Sequence, residues 1–524
     1  MSAAEFQFAG QDIPWLLASW AARQPDKPFL IWAPFDAEPR TWTYAEFWTD
    51  VRRVAAGLAG RGIGPGDTVL LHAENCPEGV LTWYACATLG AVTVTTNTRS
   101  SAAEVAYFVE KAGCVAAVTQ PAFAALIAEA APGLRWVAVT DGAAGADGGP
   151  RTGGLAFDAL FGDPASLAPR AAEPLAPAGI LFTSGTTSRP KAVVHTHANA
   201  LWAARVAPTT LRMTADDVYL VYLPFFHVNA QSWSIWTTLG AGGTVVLQPR
   251  FSASRFWDVV ARHRVTHISL IPFVIRAILS HPAPEHRLKA GVFGAVVPEL
   301  EAALGFAILP AFGMTETVTP AITAGPGFSP PPRAMGTPTP GYEALVVDAA
   351  TGEVCADGRP GELWIRGTRG IQLFAEYLDD PGAMAKSFTD DGWFRTGDIV
   401  RLGEDGALVY CERDSDLLKV GGENVSAREV EDVCRTVAGV ADVAVVGAAH
   451  PMLDEVPVAF VIKAPDADEV LLGTTVIDRC RETLSDFKVP RAVYFVDEFP
   501  RATLDKVAKN VLRDLARSYE ISDR

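Results

Sequence analysis

The feature that most restricts the fold is an alternation of helical and extended patterns along the first part of the chain. Apolar residues recur at helical spacing from Ala45 to Gly62, and the turn RGIGPGD then leads into the apolar run TVLLHA. The same order returns in WYACATLGAVTV, and again in VAYFVEKAG followed by CVAAVT. Because parallel strands need a crossover connection, usually a helix, this alternation predicts parallel sheets covered by helices, which is an α/β fold.

The length of the chain predicts more than one domain. A chain of 524 residues exceeds the roughly 250 to 300 residues at which single hydrophobic cores stop growing. After Gly336, short apolar runs such as GELWIRG and ALVYCERD predict a mainly antiparallel subdomain. Beyond Arg413 the pattern is α+β, and ENVSAREVEDVCRTV is its first predicted helix. We therefore expect a large domain over residues 1–413, made of layered α/β subdomains and a β-rich subdomain, and a small mobile α+β domain over residues 414–524.

Composition disfavours several classes of protein. The formal net charge of −16 disfavours a nucleic acid as partner, because binding a polyanion needs Lys/Arg clusters. The sequence has no apolar run long enough to span a bilayer and no basic leader followed by an apolar segment, so we expect a cytoplasmic protein without membrane contact. The seven cysteines form no CxxC pair, which predicts reduced core thiols rather than a zinc site or a disulfide framework.

The segment AGILFTSGTTSRPKAVVHTH contains a loop suited to phosphate. A buried-strand run leads into small hydroxyl and glycine residues, namely Thr183, Ser184, Gly185, Thr186 and Thr187. Glycine lets backbone N–H groups approach an anion, hydroxyls add neutral donors, and Lys191 adds charge, although a solvated turn is the alternative. A Walker loop needs glycine before its lysine and Ser or Thr after it. Pro190 and Ala192 stand there instead, which argues against a P-loop kinase or GTPase.

The loop TSGTTSRPKA resembles the signature loop of the adenylate-forming (ANL) superfamily, which includes acyl-CoA synthetases, adenylation domains of peptide synthetases and luciferases. Other motifs of that family follow in order along most of the chain. In AFGMTE the resemblance implies that Phe312 and Gly313 lie by the adenine. It also implies that Thr315 bonds the α-phosphate and that Glu316 binds Mg²⁺, since a carboxylate repels phosphates unless a cation lies between them.

The same resemblance implies the rest of the nucleotide site. Asp398 in GWFRTGD would accept hydrogen bonds from the ribose hydroxyls, and Arg413 would reach ribose or phosphate. The family's adenine wall is represented by Gly294 and Ala295, and its hinge between domains by Ser415.

The segment LLKVGGENVS resembles the family's glycine-rich hairpin, which in acyl-CoA synthetases enters the active site after adenylation and lines the tunnel for the pantetheine thiol. The resemblance therefore implies coenzyme A binding by Lys419, Gly421, Gly422 and Glu423. His227 in YLPFFHV matches a position between the acyl and pantetheine channels of the family, with a hydrogen-bonded core histidine as the alternative.

Near the C-terminus, FPRATLDK resembles the loop of the family's adenylation lysine. Lys506 aligns with that lysine, and Lys509 is a second candidate nearby. The family usually has Ser-Gly before this lysine, whereas Leu504 and Asp505 occupy those positions here. A carboxylate beside this charge leaves open whether adenylation is retained. A variant that only transfers a preformed acyl-adenylate to coenzyme A is therefore an alternative.

Taken as a whole, the resemblance implies an AMP-forming acyl-CoA synthetase, with motifs most similar to the carnitine and crotonobetaine type. Such an enzyme converts a carboxylic acid, ATP and coenzyme A into acyl-CoA, AMP and pyrophosphate. A non-catalytic nucleotide-binding protein and an oxidative luciferase are alternatives of other classes. The acyl pocket is expected from residues 228–236, 291–296 and 315–319. The acid is not identified, and the oligomeric state stays open, with a homodimer as one option.

Overall fold

A computed structural model describes most of the chain, and in it the sequence forms layered α/β sheets, a β-rich extension and a small α+β unit. The described residues are 6–140, 154–183, 189–324, 329–348, 351–356, 358–403, 405–413, 417–465, 467–500 and 507–518. The predicted fold class is confirmed.

The strands supply three sheets. In chain order they are β1 (Pro28–Trp32), β2 (Arg40–Thr43), β3 (Thr68–His72), β4 (Val92–Thr95), β5 (Cys114–Thr119), β6 (Val137–Val139), β7 (Leu155–Ala156), β8 (Pro177–Thr183), β9 (Lys191–Thr196), β10 (Val218–Val221), β11 (Thr244–Leu247), β12 (His267–Ser269), β13 (Ala290–Phe293), β14 (Ala307–Phe312), β15 (Ile322–Thr323), β16 (Ala334–Pro338), β17 (Glu343–Val347), β18 (Gly361–Arg366), β19 (Glu376–Tyr377), β20 (Phe394–Leu402), β21 (Leu408–Arg413), β22 (Leu417–Val420), β23 (Glu423–Ser426), β24 (Val440–His450), β25 (Asp454–Lys463) and β26 (Ala492–Phe495).

The helices cover these sheets. In chain order they are α1 (Ile13–Arg23), α2 (Tyr44–Ala59), α3 (Pro77–Leu89), α4 (Ala102–Ala112), α5 (Ala124–Ala130), α6 (His197–Thr210), α7 (Thr237–Ala241), α8 (Ala253–Arg262), α9 (Pro272–Leu279), α10 (Pro298–Leu304), α11 (Pro381–Ser387), α12 (Ala427–Arg435), α13 (Glu469–Thr483) and α14 (Lys509–Ser518). A π-helix spans Asn229–Trp236, and short 3-10 turns include Thr315–Thr317 and Asp486–Lys488. No helix of the described residues is long and apolar enough to cross a membrane.

The first sheet has the order β19-β9-β8-β4-β3-β5-β6-β7, and its strands from β8 to β7 are parallel. In the central strand β3, Val69, Leu70 and Leu71 are all buried. A continuous apolar run of this kind is typical of a parallel strand that is covered on both faces. Strand β8 ends at Thr183, the first residue of the hydroxyl-rich segment, so Thr183 lies at the carboxyl end of this parallel sheet.

The second sheet has the order β17-β18-β20-β21-β16-β15-β14-β13-β12-β10-β11-β1-β2. Strands β1, β11, β10, β12, β13 and β14 pair in parallel, and the pairing becomes antiparallel from β14 to β15. The AFGMTE segment therefore begins at the end of β14, the last parallel strand, at the boundary between the parallel and antiparallel parts of the sheet. Ligands of α/β proteins bind outside the carboxyl ends of parallel strands, so this is a favourable place for a site.

The described residues from 417 to 518, which we refer to as the small domain and the preceding residues as the large domain, contain the third sheet, in the order β23-β22-β25-β24 with β26 beside β25. Alternate residues of β24 point to opposite faces, because the side-chain period of a strand is two. Val443 and Val445 pack in the core that contains Val476 of α13, whereas Ala444 and Val446 pack with α14. Both faces of this sheet are thus covered by helices.

Two expectations from the sequence are wrong. The segment ENVSAREVEDVCRTV is not one helix, because its first four residues form β23 and the helix α12 begins at Ala427. The reason is local: Gly421 and Gly422 form a hairpin turn, and the Ser426 hydroxyl accepts a hydrogen bond from the Glu429 N–H at 3.3 Å as the N-cap. The cysteines are all free, as predicted, but Cys411 is exposed and is therefore not a core thiol.

Candidate active site

The two residues that flank the hydroxyl-rich loop lie next to each other in the first sheet. Strands β8 and β9 are antiparallel, and Thr183 pairs directly with Lys191. The Thr183 hydroxyl is buried and has no hydrogen-bond partner in the described part of the chain. A buried polar group without a partner often marks a position that a ligand or water completes. The rest of the predicted loop lies outside the described residues, namely Ser184, Gly185, Thr186 and Thr187, and its role stays a prediction.

Lys191 lies beside the predicted magnesium ligand, with a tyrosine between them. The Lys191 ammonium is 4.4 Å from the centre of the Tyr377 ring, and the Tyr377 hydroxyl donates to Glu316 Oε1 at 2.9 Å. Burial lowers the pKa of Lys191, while the charges of Glu316 and Asp380 act in the opposite direction. Burial, and next the charge of Glu316, raise the pKa of Tyr377 well above its ordinary value, so this hydroxyl stays a donor.

The backbone around Glu316 is fixed by two hydrogen bonds. The ring of His195 donates from Nε2 to the Thr315 carbonyl at 2.7 Å, and the Phe374 N–H donates to the Glu316 carbonyl at 2.9 Å. Burial lowers the pKa of His195 to about 4, so the ring is neutral. Val318 has a φ of 65°, which is strained for a β-branched residue and is a feature found at functional sites.

The Glu316 carboxylate fits a magnesium ion that is shared with phosphate. Glu316 is only 4% exposed. Like Lys191, it lies at the carboxyl ends of parallel strands. Mg²⁺ in phosphate sites takes one or two carboxylates and completes its shell with waters and substrate oxygens. Glu316 therefore needs no second carboxylate for that role.

The predicted adenine residues lie at the ends of the neighbouring strands β13 and β14, and the predicted ribose residues lie on the neighbouring strands β20 and β21. Gly294 and Ala295 follow β13, and a Cβ added to Gly294 would have no atom within 4 Å, so this side of the wall is open. Phe312 ends the adjacent strand β14. Asp398 in β20 is paired with Arg413 in β21, is 5% exposed, and accepts a hydrogen bond from the Tyr410 hydroxyl at 3.4 Å. The Arg413 side chain lies outside the described residues, and the roles of all these residues stay predictions.

The glycine-rich hairpin of the small domain contacts the large domain. Lys419 pairs with Asn424 across the hairpin, and the turn has φ values of 59° at Gly421 and 89° at Gly422. The Gly421 N–H donates to the Leu453 carbonyl at 2.7 Å. A Cβ added to Gly422 would lie 3.0 Å from Cδ1 of Ile271 in the large domain. Glycine at this position allows both the left-handed backbone and the close approach of the two domains.

Glu423 of this hairpin forms an ion pair with His227 of the large domain. His227 Nε2 lies 3.1 Å from Glu423 Oε2 and 3.2 Å from Oε1. Burial alone would lower the pKa of His227, but the charge and hydrogen bond of Glu423 outweigh it and raise this pKa. Burial would raise the pKa of Glu423, yet His227 and more distant cations lower it. His227 is therefore a contact between domains rather than a core histidine.

We expect the docking of this hairpin to weaken as the pH rises through the raised pKa of His227. The stabilisation from a histidine with a raised pKa is complete below its ordinary value of about 6.5 and is lost as the pH rises through the raised value. Amide protection factors of residues 417–426, measured on both sides of neutrality, should fall with pH in the native protein and change much less in His227→Asn. Equal pH dependence in the two proteins would contradict this ion pair.

Sequence reasoning missed Tyr377, and it included Trp233 only as one member of the predicted acyl-pocket range. Tyr377 is 61 residues from Glu316 in the chain, so no local spacing signals their contact. Trp233 lies in the π-helix within the predicted acyl-pocket range, and its Cζ2 is 3.0 Å from where a Cβ of Gly313 would be. The Thr319 carbonyl is at the same distance from that point. Trp233 Nε1 and Thr319 Oγ1 are buried without hydrogen-bond partners among the described residues.

Other predicted positions lie elsewhere or outside the described residues. Gly291, placed in the acyl pocket by the sequence, faces the core instead, because a Cβ there would lie 2.5 Å from Leu270 Cδ1. The Lys509 ammonium is 2.6 Å from Glu431 within the small domain. Lys506 and the predicted hinge residue Ser415 lie outside the described residues, and their roles stay predictions.

Comparisons with known proteins cover nearly the whole chain. Residues 17–378 match the family described as AMP-binding enzyme, and residues 429–506 match the AMP-binding enzyme C-terminal domain. The chain is 34% identical over 489 residues to the crotonobetaine/carnitine–CoA ligase of Escherichia coli, an alignment that covers 90% of this chain and 93% of that enzyme.

Solved structures of o-succinylbenzoate CoA synthetase from Bacillus subtilis, 28% identical to this chain, give two different degrees of similarity. A double mutant of that enzyme bound to its product analogue matches with a TM-score of 0.81, over 96% of this chain and 99% of that one. The same enzyme in complex with AMP matches with a TM-score of 0.66 over the same shares. The arrangement of this chain is therefore closer to the complex with the product analogue.

Proposed function

The chain belongs to the AMP-binding enzyme family and is an AMP-forming acyl-CoA synthetase that uses ATP and coenzyme A, and we propose that it activates a small polar carboxylic acid. This membership confirms the predicted adenylate-forming family. In the proposed first half-reaction, a carboxylate oxygen attacks the α-phosphorus of ATP and pyrophosphate leaves. In the second, the thiol of coenzyme A gives up its proton and its sulfur attacks the acyl carbon, and the bond between that carbon and the AMP oxygen breaks, so that AMP leaves with the electron pair.

The observation that most supports this proposal is the contact between His227 and Glu423, with Nε2 and Oε2 at 3.1 Å. It brings the glycine-rich hairpin of the small domain to the predicted acyl site of the large domain, against Ile271. Glycines leave room for a thin ligand such as the pantetheine arm to pass. We propose that residues 1–413 and 414–524 are the two domains, and that they turn about Ser415 between the half-reactions.

The adenylation half-reaction is assigned to the cluster around Lys191. Its ammonium would offset charge on the phosphates, and Thr315 would donate to the α-phosphate. When bound, Mg²⁺ at Glu316 would neutralise the phosphate oxygens and polarise the phosphorus. The Tyr377 hydroxyl donates a hydrogen bond of 2.9 Å to the Glu316 carboxylate, and this bond fixes the orientation of the carboxylate. We assign delivery of the acid's carboxylate to Lys506 on the strength of its motif.

The polarity of the acid is inferred from Trp233 and Thr319. Their buried N–H and hydroxyl groups have no partners among the described residues, and both residues approach Gly313 at the end of β14. A site with unpaired donors binds a ligand that can pair with them and rejects an isostere that cannot. The bulk of the indole also limits the length of the acyl group. We therefore propose a short acid that carries a hydroxyl, carbonyl or second carboxylate group.

Trp233→Phe is expected to reduce kcat/KM by about tenfold for acids with such an acceptor group, because a hydrogen bond of typical strength is lost. The same variant should change kcat/KM little for an apolar acid of equal length. Trp20→Phe removes a buried indole N–H in α1, where the ring lies against Tyr44 and Gly242, and is the matched control. Equal losses for polar and apolar acids would contradict the proposed polarity.

The proposed function is tested with a panel of short acids, ATP and coenzyme A, by measuring the thioester and AMP by mass spectrometry. Equal amounts of thioester and AMP are expected. ATP–pyrophosphate exchange without coenzyme A tests adenylation alone. If the enzyme only transfers a preformed acyl-adenylate, exchange is absent while a supplied acyl-adenylate still yields thioester. A non-catalytic nucleotide-binding protein would yield neither product.

A further inference from the structure

We propose that Glu104, Lys488 and Glu429 form an ionic latch that holds the small domain in its thioester-forming position, with Lys488 and Glu104 as positioning residues. The role assigned to this position rests on the proposed function. The latch itself is a set of contacts between two domains, separate from the His227 pair.

The latch is a buried lysine between two glutamates. Lys488 Nζ lies 2.5 Å from Glu104 Oε1 and 2.9 Å from Glu429 Oε1, and the three side chains are 6%, 8% and 6% exposed. Glu104 belongs to α4 of the large domain, whereas Glu429 and Lys488 belong to the small domain. An ion pair this deeply buried is much less screened than a surface pair, and removing one partner leaves an uncompensated charge.

Further contacts surround the latch at the same interface. The Ser485 hydroxyl donates to Glu104 Oε2 at 2.6 Å, and the Ser101 hydroxyl donates to the Thr483 carbonyl at 3.0 Å. At the exposed rim, Arg99 and Asp486 form a salt bridge of 2.7 Å. The end of α13 and the following turn are thus attached to the N-terminus of α4.

The latch is coupled to the hairpin that carries Glu423. The turn Asp486–Lys488 packs against β23, the strand that begins with Glu423. The charges of Arg99 and Lys488 also contribute to the lowered pKa of Glu423, which places both cations within electrostatic reach of that carboxylate. A small domain that is fixed at Glu104 therefore places Glu423 against His227.

Because the latch has three charged residues, the interface can open without leaving Lys488 unpaired. If the small domain turns away, Lys488 keeps Glu429, since both lie in that domain. Glu104 keeps the Ser101 N–H, which donates to Glu104 Oε2 at 2.8 Å in the capping box of α4. Lys488 and Glu104 therefore each keep a partner in both positions, so the ion pair biases the domain equilibrium more than it stabilises either domain.

The test compares Glu104→Gln with Asp12→Asn. Glutamine keeps the capping box but loses the charge, and asparagine likewise keeps the N-cap of α1 while removing the charge that pairs with Arg170 at 2.6 Å inside the large domain. In Glu104→Gln, thioester formation from supplied acyl-adenylate should fall about tenfold, the size of effect that a single coupling residue exerts. ATP–pyrophosphate exchange should be unchanged or faster, and Asp12→Asn should leave the ratio of the two activities as in the native enzyme.

Hydrogen exchange gives a readout that does not depend on catalysis. Glu104→Gln should lose amide protection in residues 417–426 and 483–488, and Asp12→Asn should not. A double-mutant cycle with Lys488→Gln should show a combined loss smaller than the sum of the single losses. Unchanged thioester formation and unchanged protection in Glu104→Gln would overturn the latch. If the native enzyme makes neither adenylate nor thioester, the proposed function fails instead, and hydrogen exchange still decides on the latch.

Discussion

Glu316→Gln is expected to reduce ATP–pyrophosphate exchange by about 10³-fold, because a neutral amide is a poor ligand for Mg²⁺ and a preorganised charge at the phosphates is lost. A second effect adds to it. The charge of Glu316 opposes the lowering of the Lys191 pKa by burial, so without it that pKa falls further and the ammonium is less fully charged. Both effects act on the adenylation half-reaction.

The same variant should still form thioester from a supplied acyl-adenylate at a rate within a few-fold of the native enzyme. Tyr377→Phe, which removes only the 2.9 Å hydrogen bond to Glu316, should cause a smaller loss of exchange than Glu316→Gln. Loss of both half-reactions to the same extent would show that Glu316 supports the fold rather than adenylation. Circular dichroism and thermal unfolding of the two variants check that point.

Gly422→Val is expected to reduce thioester formation by about 100-fold, because displacement of a reacting group by about an ångström costs that much. Valine at this position has an unfavourable φ of 89°, and its Cβ would lie 3.0 Å from Ile271 Cδ1. The hairpin must therefore move away from the large domain. Adenylation does not use this contact, so ATP–pyrophosphate exchange should persist.

Gly62→Val is the matched control for backbone strain, since Gly62 has a φ of 80° but no atom within 4 Å of an added Cβ. Gly62→Val should change the stability of the protein but neither half-reaction. Gly422→Ala separates the steric contact with Ile271 from the backbone strain. Its loss of thioester formation should be partly restored when Ile271→Ala is added. Loss of both half-reactions in Gly422→Val, or no restoration by Ile271→Ala, would contradict the account of this hairpin.

Local patterns were sufficient to predict a buried strand next to the candidate site. The run ILF lies in β8, and the last residue of that strand, Thr183, begins the hydroxyl-rich segment. These features depend on residues that are neighbours in the chain. The misassigned start of α12 has the same origin, because the turn at Gly421 and Gly422 competes with an otherwise helical pattern.

Contacts between distant segments were not predictable in this way. Lys488 and Glu104 are separated by 384 residues, and no periodicity links a buried lysine after α13 to the capping box of α4. The orientation of Gly291 toward Leu270 likewise depends on packing of the neighbouring strand and helix. Sequence therefore indicates the nucleotide motifs, whereas the supporting residues Tyr377 and His195 become visible only in the folded chain.

The central claim is that the acid passes through a mixed anhydride with AMP. It is tested most directly with an acid whose carboxylate carries heavy oxygen, using an acid that the panel identifies as a substrate. The account predicts that AMP released during thioester formation contains one heavy oxygen from the acid, while pyrophosphate contains none. Unlabelled AMP, with the heavy oxygen in orthophosphate or pyrophosphate, would contradict it.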